Sequence, residues 1–346
     1  MTVGAAGDRR VARRAPAVSR RGRVALLAAL LAGAALAVAS LCIGDPLLSP
    51  ARAFELLRHP DDSVASIIVH TIRVPRAVLA IAVGAALAVA GVVMQALTRN
   101  PLAEPGLLGV NAGASTAVAV AYVVLGVHDF SATLLFAFAG ACLAAILVAL
   151  LGGVGRSASI ARLVLAGVAV GAVLSGITQA LSLIDPAEYA RIRVWETGSL
   201  AARDTPTALL VSVLIVAGVA LAVGIGPGLN LLVLGEDAAH TLGARVPRVR
   251  AIGLVLIVLL CGTATAAVGP IAFVGLLVPH AVRAVVGADQ VRILAASVLV
   301  GPVLLLASDV IARTVVAPGE LPLGVVTAFL GAPVLIALVH RRRRMT

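Results

Sequence analysis

The chain has 346 residues, of which 61% are hydrophobic and only 12% charged, and its mean hydropathy is +1.10. This composition excludes a soluble globular domain, because too few polar residues remain to cover a surface in water. The net charge of +11 comes from 27 arginines against 16 acids, and the chain contains no lysine. A Walker A phosphate loop needs its lysine, so any ATP used by this protein must be bound by another subunit.

Ten apolar segments are long enough to cross a membrane as helices. Runs of about 18 or more apolar residues mark such spans, and backbone groups in lipid must find partners within their own segment, which favours helices. The predicted fold class is therefore an all-α integral membrane protein with about ten transmembrane helices. The predicted spans are 24–44, 77–97, 106–125, 131–151, 160–183, 206–224, 251–268, 272–287, 292–312 and 322–340.

The charged residues predict which side of the membrane each connection faces. With the N-terminus inside, 19 of the 27 arginines lie on the cytoplasmic side and ten of the 16 acids lie on the other side. This distribution follows the positive-inside rule and predicts a multi-pass protein of a bacterial inner or plasma membrane. The membrane domain at 24–340 then lies between two Arg-rich cytoplasmic tails, 1–23 and 341–346. Because topology accounts for the basic charge, we do not expect nucleic-acid binding.

Two short motifs occur twice along the chain. The stretch Asn100–Gly109 contains Pro, Ala, Gly, Leu and Leu, which recur in register within Pro270–Leu277, 169 positions later. The tetrapeptide Arg-Val-Pro-Arg at 73–76 recurs at 245–248. The consistent order predicts that spans 2–5 and 7–10 are two copies of one unit. Five helices separate the copies, so their orientations are opposite, giving an inverted repeat of the kind found in transporters.

The first of these motifs is predicted to be a corner between two helices rather than a ligand site. Pro101 and Pro105 would end one helix and start the next. Glu104 would lie near the new N-terminus, where a negative charge is favourable. The predicted topology places residues 98–106 at the cytoplasmic end of span two and residues 269–275 at the outer end of span seven.

The sequence predicts no catalytic residue, metal site or cofactor. No His, Cys and carboxylate spacing resembles a zinc site, and no nucleophile and base stand out as a pair. Asp309 is the only acid predicted within a span, and Arg313 follows one turn later, which predicts an ion pair near a helix end.

Span five carries a polar trio, Ser175, Thr178 and Gln179. The i, i+3, i+4 spacing places all three on one helix face. Such a face would line a conduit or form hydrogen bonds with a neighbouring helix, and the sequence leaves both possibilities open.

Residues 234–243 are predicted to form a short cytoplasmic helix. The segment starts with the acids Glu236 and Asp237, which suit a helix N-terminus, and ends on Gly243, which suits a helix C-terminus. A short helix at this surface would contact a soluble partner or would simply lie at the membrane interface; composition alone does not separate the two.

Several segments together resemble the iron-siderophore/cobalamin permease family of ABC importers, the FecCD-type transmembrane subunits. The resemblance covers about residues 24–340 in the family's order. It implies a ten-helix permease domain that works as a dimer of identical or homologous permeases in the lipid bilayer. It also implies two cytoplasmic ABC ATPases and an extracytoplasmic substrate-binding protein as partners. The segments that carry the resemblance are 73–76, 84–109, 234–243, 269–280 and 320–333.

The resemblance also implies roles for three sets of residues. In the family, arginines on the outer face meet acids of the binding protein, and the matching residues here are Arg73, Arg76 and Arg313. A coupling helix docks on the ATPase, and the matching residues are Gly235, Glu236, Leu242 and Gly243. Residues matching the inner gate are Ser159, Ile160 and Ala161. For the arginines, contact with lipid phosphates or capping of helix ends stays open as an alternative.

The function implied is import of a ferric-siderophore chelate by ATP-driven alternating access. Ile160 and Ala161 are apolar where cobalamin members of the family tend to be polar, which weakens a cobalamin assignment. The same architecture carrying cobalamin or haem is the first alternative, and an ion-coupled secondary carrier acting alone is the second.

Overall fold

Every regular element of the described chain is helical, which confirms the all-α fold class. The computed structural model describes residues 19–152, 160–201, 203–243, 245–317 and 319–343. A π-helical turn, Val69–Arg73, joins α3 to α4, and a 3₁₀ turn, Pro105–Leu108, precedes α5. The α-helices in chain order are α1 Arg20–Cys42, α2 Pro50–Arg58, α3 Val64–Ile68, α4 Val74–Thr98, α5 Val110–Val123, α6 Phe130–Gly152, α7 Ile160–Ile184, α8 Pro186–Glu196, α9 Thr205–Gly224, α10 Gly226–Val233, α11 Glu236–Thr241, α12 Val246–Val268, α13 Val274–Val286, α14 Gln290–Thr314 and α15 Leu323–Arg343.

Each predicted span corresponds to one of these helices, although not all of them are long. Within the described residues, seven helical segments are long and apolar enough to cross a membrane: α1, the continuous helix Val64–Thr98, α6, α7, α9, α12 and α14. The apolar helices of α5, α13 and the first part of α15 are shorter. Seven helices of sufficient length and apolar composition are thus present among the described residues, and the count of ten spans stays a prediction.

The segment between the first two predicted spans is not an irregular connection but contains helices α2 and α3. Helices α2 and α3 each begin at a serine whose side chain accepts a backbone N–H, Ser49 for α2 and Ser63 for α3, as N-caps do. They pack over a small separate core of Leu48, Leu56 and Val69. Helices α2 and α3, which we call the cap, lie beside the start of α4.

Helix α4 forms the centre of the bundle and is buried along nearly its whole length. It packs against α9, α12, α13 and α14, whereas α1, α7 and α15 lie at the periphery. Small residues allow the close approach, as is usual for helices in membranes. A Cβ at Gly84 would meet the backbone of Gly301, and a Cβ at Gly91 would overlap the carbonyl of Gly275.

The two proline motifs lead into the two short helices α5 and α13. A helix of 13 or 14 residues spans only about 20 Å, less than the roughly 30 Å of a bilayer core. Residues 99–109 and 269–273 therefore run partly into the bundle before α5 and α13 begin. The last residue before each helix, Gly109 or Phe273, has a left-handed backbone with φ of 73° and 70° respectively.

The predicted separation of the two motifs across the membrane is wrong. Glu104 Oε1 accepts the backbone N–H of Phe273 at 2.6 Å, so the two motifs meet inside the bundle. Glu104 is also not at the start of its own α-helix, since a 3₁₀ turn follows it. The helix N-terminus that its carboxylate serves is that of α13.

Candidate functional site

Three candidate surfaces lie on different parts of the bundle. The first is the arginine end, which we define by Arg73, Arg76 and Arg313. The second is the short helix α11 at the opposite end. The third is the exposed face of α7, at the periphery between the two ends.

A buried ionic network lies at the arginine end. Asp309 on α14 is in contact with two arginines: its Oδ1 lies 2.8 Å from Arg76 Nη2, and its Oδ2 lies 2.7 Å from Arg313 Nη2. Arg76 also holds Glu320 in a bidentate pair at 2.8 and 2.9 Å. The predicted pair of Asp309 and Arg313 is thus confirmed. The sequence did not predict the contact of Asp309 with Arg76, because Arg76 lies on α4, more than two hundred positions away.

The other two arginines cap the C-terminus of α1. Arg313 Nη1 donates to the carbonyls of Ser40 and Ile43 at 3.1 and 2.7 Å. Arg73 Nη1 donates to the carbonyls of Leu41 and Cys42 at 2.8 and 3.2 Å. The last carbonyls of a helix have no partners within it, and a cation there also complements the helix dipole. The helix-capping alternative is therefore confirmed for Arg73 and Arg313.

All three arginines are buried within their own chain. Arg73, Arg76 and Arg313 are 3%, 6% and 8% exposed. The most accessible charge of the network is the side chain of Glu320, which is 42% exposed and covers the guanidinium of Arg76. With three arginines and two acids, the cluster carries a net charge of 3 − 2 = +1. Contact of these arginines with a partner protein stays a prediction.

The predicted short helix at 234–243 is confirmed as α11, Glu236–Thr241. Gly235 and Gly243 flank it with φ of 111° and 80°, which only glycine adopts at little cost. Ala239 is fully buried against the bundle, whereas Leu242 is 61% exposed. The helix thus has one anchored side, and an apolar side chain at its end is free to contact another molecule.

One of the three residues of the predicted inner gate lies outside the part of the chain that the structure describes. Ser159 lies outside the described residues, and Ile160 and Ala161 form the first turn of α7. Their role as a gate stays a prediction.

One member of the polar trio on α7, Thr178, forms a hydrogen bond with a neighbouring helix, and a conduit role for the other two stays a prediction. Thr178 is buried, and its hydroxyl lies 3.0 Å from that of Thr116 on α5. Ser175 and Gln179 are exposed. Gly171 and Gly176 have open space where a side chain would be. One hydroxyl therefore joins α7 to α5, and the remaining polar groups face outward from this chain.

Comparison with known proteins places the chain among transport proteins. Residues 30–341 match the model of the FecCD transport family. The ferric enterobactin transport system permease protein of Escherichia coli (strain K12) is 46% identical over 306 residues, which is 88% of this chain and 91% of that protein. The hemin transport system permease protein of Yersinia pestis is 40% identical over 280 residues, 79% of this chain and 83% of that protein.

The fold is also similar to a solved structure. A metal-chelate type ABC transporter in an inward-facing conformation superposes with a TM-score of 0.81 at 30% identity. The similarity covers 92% of this chain and 99% of that one.

We predict that Asp309→Asn strongly destabilises the protein. The amide has the same shape but removes the charge that both Arg76 and Arg313 face, and breaking a buried pair in this way costs about 3–5 kcal/mol. The measurement is the melting temperature of the purified protein in detergent. The matched control is Asp61→Asn, whose carboxylate pairs with Arg52 on an exposed surface and whose loss should leave the melting temperature unchanged. Equal melting temperatures for the two variants would contradict a stabilising role for the buried network.

Proposed function

Since the chain belongs to the FecCD transport family and is a membrane permease component of an ABC importer, we propose that its cargo is a ferric-siderophore chelate. The chelate enters the cytoplasm by alternating access, driven by ATP hydrolysis on separate subunits. The observation that carries this proposal is the 46% identity with the ferric enterobactin permease, which extends over 88% of the chain.

A second permease subunit packs against the exposed side of α7 in this proposal. Ser175 and Gln179 are exposed on a helix that otherwise presents large apolar side chains. Polar side chains within a span normally face protein or a water-filled cavity rather than lipid. The polar positions of α7 would then line the pathway between the two permeases, identical or homologous, and Thr178 would hold α7 on α5.

The binding protein docks at the arginine end, on the extracytoplasmic side, in the same proposal. Because Arg73 and Arg313 already cap α1, the contact would centre on Arg76. Its guanidinium fork suits a bidentate carboxylate, and Glu320 of this chain occupies that fork in the structure. An acidic residue of the partner would take the place of Glu320.

The ATPases dock on α11, which places α11 and both termini in the cytoplasm. Gly235, Glu236, Leu242 and Gly243 would form the contact. Support comes from the geometry of α11: it is a separate short helix bounded by two glycines, and the exposed Leu242 follows its last turn.

We predict that the importer takes up a ferric siderophore only when its ATPases are present. The test uses cells that lack such permeases and expresses in them this chain together with the ATPase and the binding protein encoded by neighbouring genes. The cells are then assayed for uptake of ferric enterobactin, ferric citrate, haem and cobalamin. Radioactive iron supplied as a ferric siderophore should accumulate, and this accumulation should fall to background without the ATPase. Uptake of haem or cobalamin alone would overturn the proposed cargo. Uptake without the ATPase would favour an ion-coupled carrier.

We predict that Glu320→Gln strengthens docking of the binding protein at low salt. Removing the internal competitor frees the fork of Arg76 for a partner carboxylate, and a few-fold gain is expected from one charged contact. The measurement is the dissociation constant on purified permease in lipid nanodiscs at several salt concentrations. Glu55→Gln, which removes an exposed carboxylate from the same end, controls for the general change in charge. The same affinity for both variants would contradict docking through Arg76.

We predict that Leu242→Asp separates the permease from its ATPases. A charge at this exposed apolar position would be buried unpaired in the contact, which is costly. Co-purification of the ATPase should be lost while membrane insertion of the permease is unchanged. The control is Val64→Asp, an exposed valine in the cap that precedes α4. ATPase retained by Leu242→Asp as well as by Val64→Asp would count against α11 as the docking helix.

A further inference from the structure

The contact between Glu104 and Phe273 joins equivalent positions of the two repeated motifs. The motifs are offset by 169 positions, from Pro101 to Pro270, and Glu104 is separated from Phe273 by the same 169 positions. In an arrangement with twofold symmetry, a residue contacts its own equivalent only close to the axis. The contact therefore marks the place where the two units meet.

The packing of the helices has the same symmetry. If α4 to α7 correspond in chain order to α12 to α15, each contact among these eight helices has a counterpart. The pairing of α4 with α13 and α14 matches the pairing of α12 with α5 and α6, and the pairs within one unit, such as α5 with α7, match α13 with α15. Each unit thus packs its first helix against the other unit, and the junction of Glu104 with Phe273 lies between them.

The junction also holds a strained backbone in place. Phe273 has a left-handed φ of 70°, which is unusual for a bulky residue and persists only where the surroundings enforce it. Glu104 binds its N–H, and the side chain of Phe273 packs against Gly331 on α15. A carboxylate at this position also complements the N-terminal dipole of α13.

A continuous set of contacts leads from α11 to this junction. Helix α10 precedes α11 directly, and Asn230 on α10 accepts the N–H of Gln290 at 2.6 Å and donates to Asp289 at 3.2 Å. Asp289 ends the connection between α13 and α14, and Gln290 is the first residue of α14. At the other end of α13, Glu104 leads into the turn Pro105–Leu108, whose Leu107 carbonyl lies directly against Gly167 on α7.

We propose that Glu104 is a positioning residue that transmits displacement of α13 to α7. Movement of α11 reaches the connection between α13 and α14 through Asn230. The displacement then passes along α13 to Phe273, and Glu104 passes it to the turn that packs on α7. This inference deepens the proposed function, since it assigns a mechanical link between the proposed ATPase contact and the proposed pathway.

The single tryptophan of the chain provides a readout that needs no partner. The backbone of Trp195 lies against Gly269, at the start of the segment that ends on Phe273, and its side chain is buried. Loosening of this segment should expose the indole to a soluble quencher. Acrylamide quenching of the purified chain therefore reports on the junction whether or not the transported chelate is known.

The test compares Glu104→Ala and Glu104→Gln with the exposed control Glu55→Ala. Glutamine keeps an oxygen acceptor for the N–H of Phe273, whereas alanine removes it. We expect Glu104→Ala to raise Trp195 quenching and to lower ferric enterobactin uptake about tenfold or more, the factor expected from one charged hydrogen bond. Membrane level and ATPase activity should stay as in the unmodified protein. Glu104→Gln should restore most of both readouts, and Glu55→Ala should change neither.

Three outcomes would overturn the proposal: normal quenching and uptake in Glu104→Ala, a glutamine variant as defective as the alanine variant, or uptake that falls only in proportion to the folded protein. If Glu104→Ala does not fold, Glu104→Asp takes its place, because it keeps the charge but is one methylene too short to reach Phe273. Its normal uptake would also overturn the proposal. If Glu104→Ala alters quenching but the unmodified protein takes up no ferric enterobactin, the proposed cargo is wrong and the role of Glu104 is not contradicted.

Discussion

The need to satisfy every backbone polar group without water shapes this structure more than any other constraint. An unpaired N–H or carbonyl within a bilayer costs several kcal/mol. Long helices meet this need internally, but each helix end leaves groups without partners. Helices that begin or end inside the bundle therefore require partners from elsewhere in the chain. Acids and arginines, which together make up only 12% of this apolar protein, are found at several such ends.

Charged side chains bind backbone groups at helix ends in two places, with different consequences. At the arginine end, Arg73 and Arg313 satisfy the last carbonyls of α1, and Asp309 balances the charge of Arg313 and Arg76. In the interior, Glu104 satisfies the N–H of Phe273, the residue that directly precedes α13. The first group fixes three helices at one end of the bundle, and the second joins two short helices at their starting points. In the proposed importer, the first surface receives the binding protein and the second transmits motion.

Part of this arrangement follows from local pattern in the sequence. Apolar run length predicted the long helices, because a span must remain apolar over its whole length. The acids and glycines of 234–243 predicted α11, since both types of residue act on the helix that contains them. The spacing of Asp309 and Arg313 predicted their pair, because residues four apart share one helix face. Segment 45–76 was missed as helical, since its helices are short and depend on a small core of their own.

The sequence by itself determined the membrane class, the positions of the long helices and the family, because run length, charge bias and motif order are properties of the chain. Only the tertiary structure decided which charges meet. Arg76 and Asp309 come from different helices. The two motifs were predicted at opposite sides of the membrane, but they touch at Glu104 and Phe273, because α5 and α13 are too short to reach both membrane surfaces. Such contacts depend on how the helices pack and on where each begins within the bundle, and neither is encoded in the local sequence of any one segment.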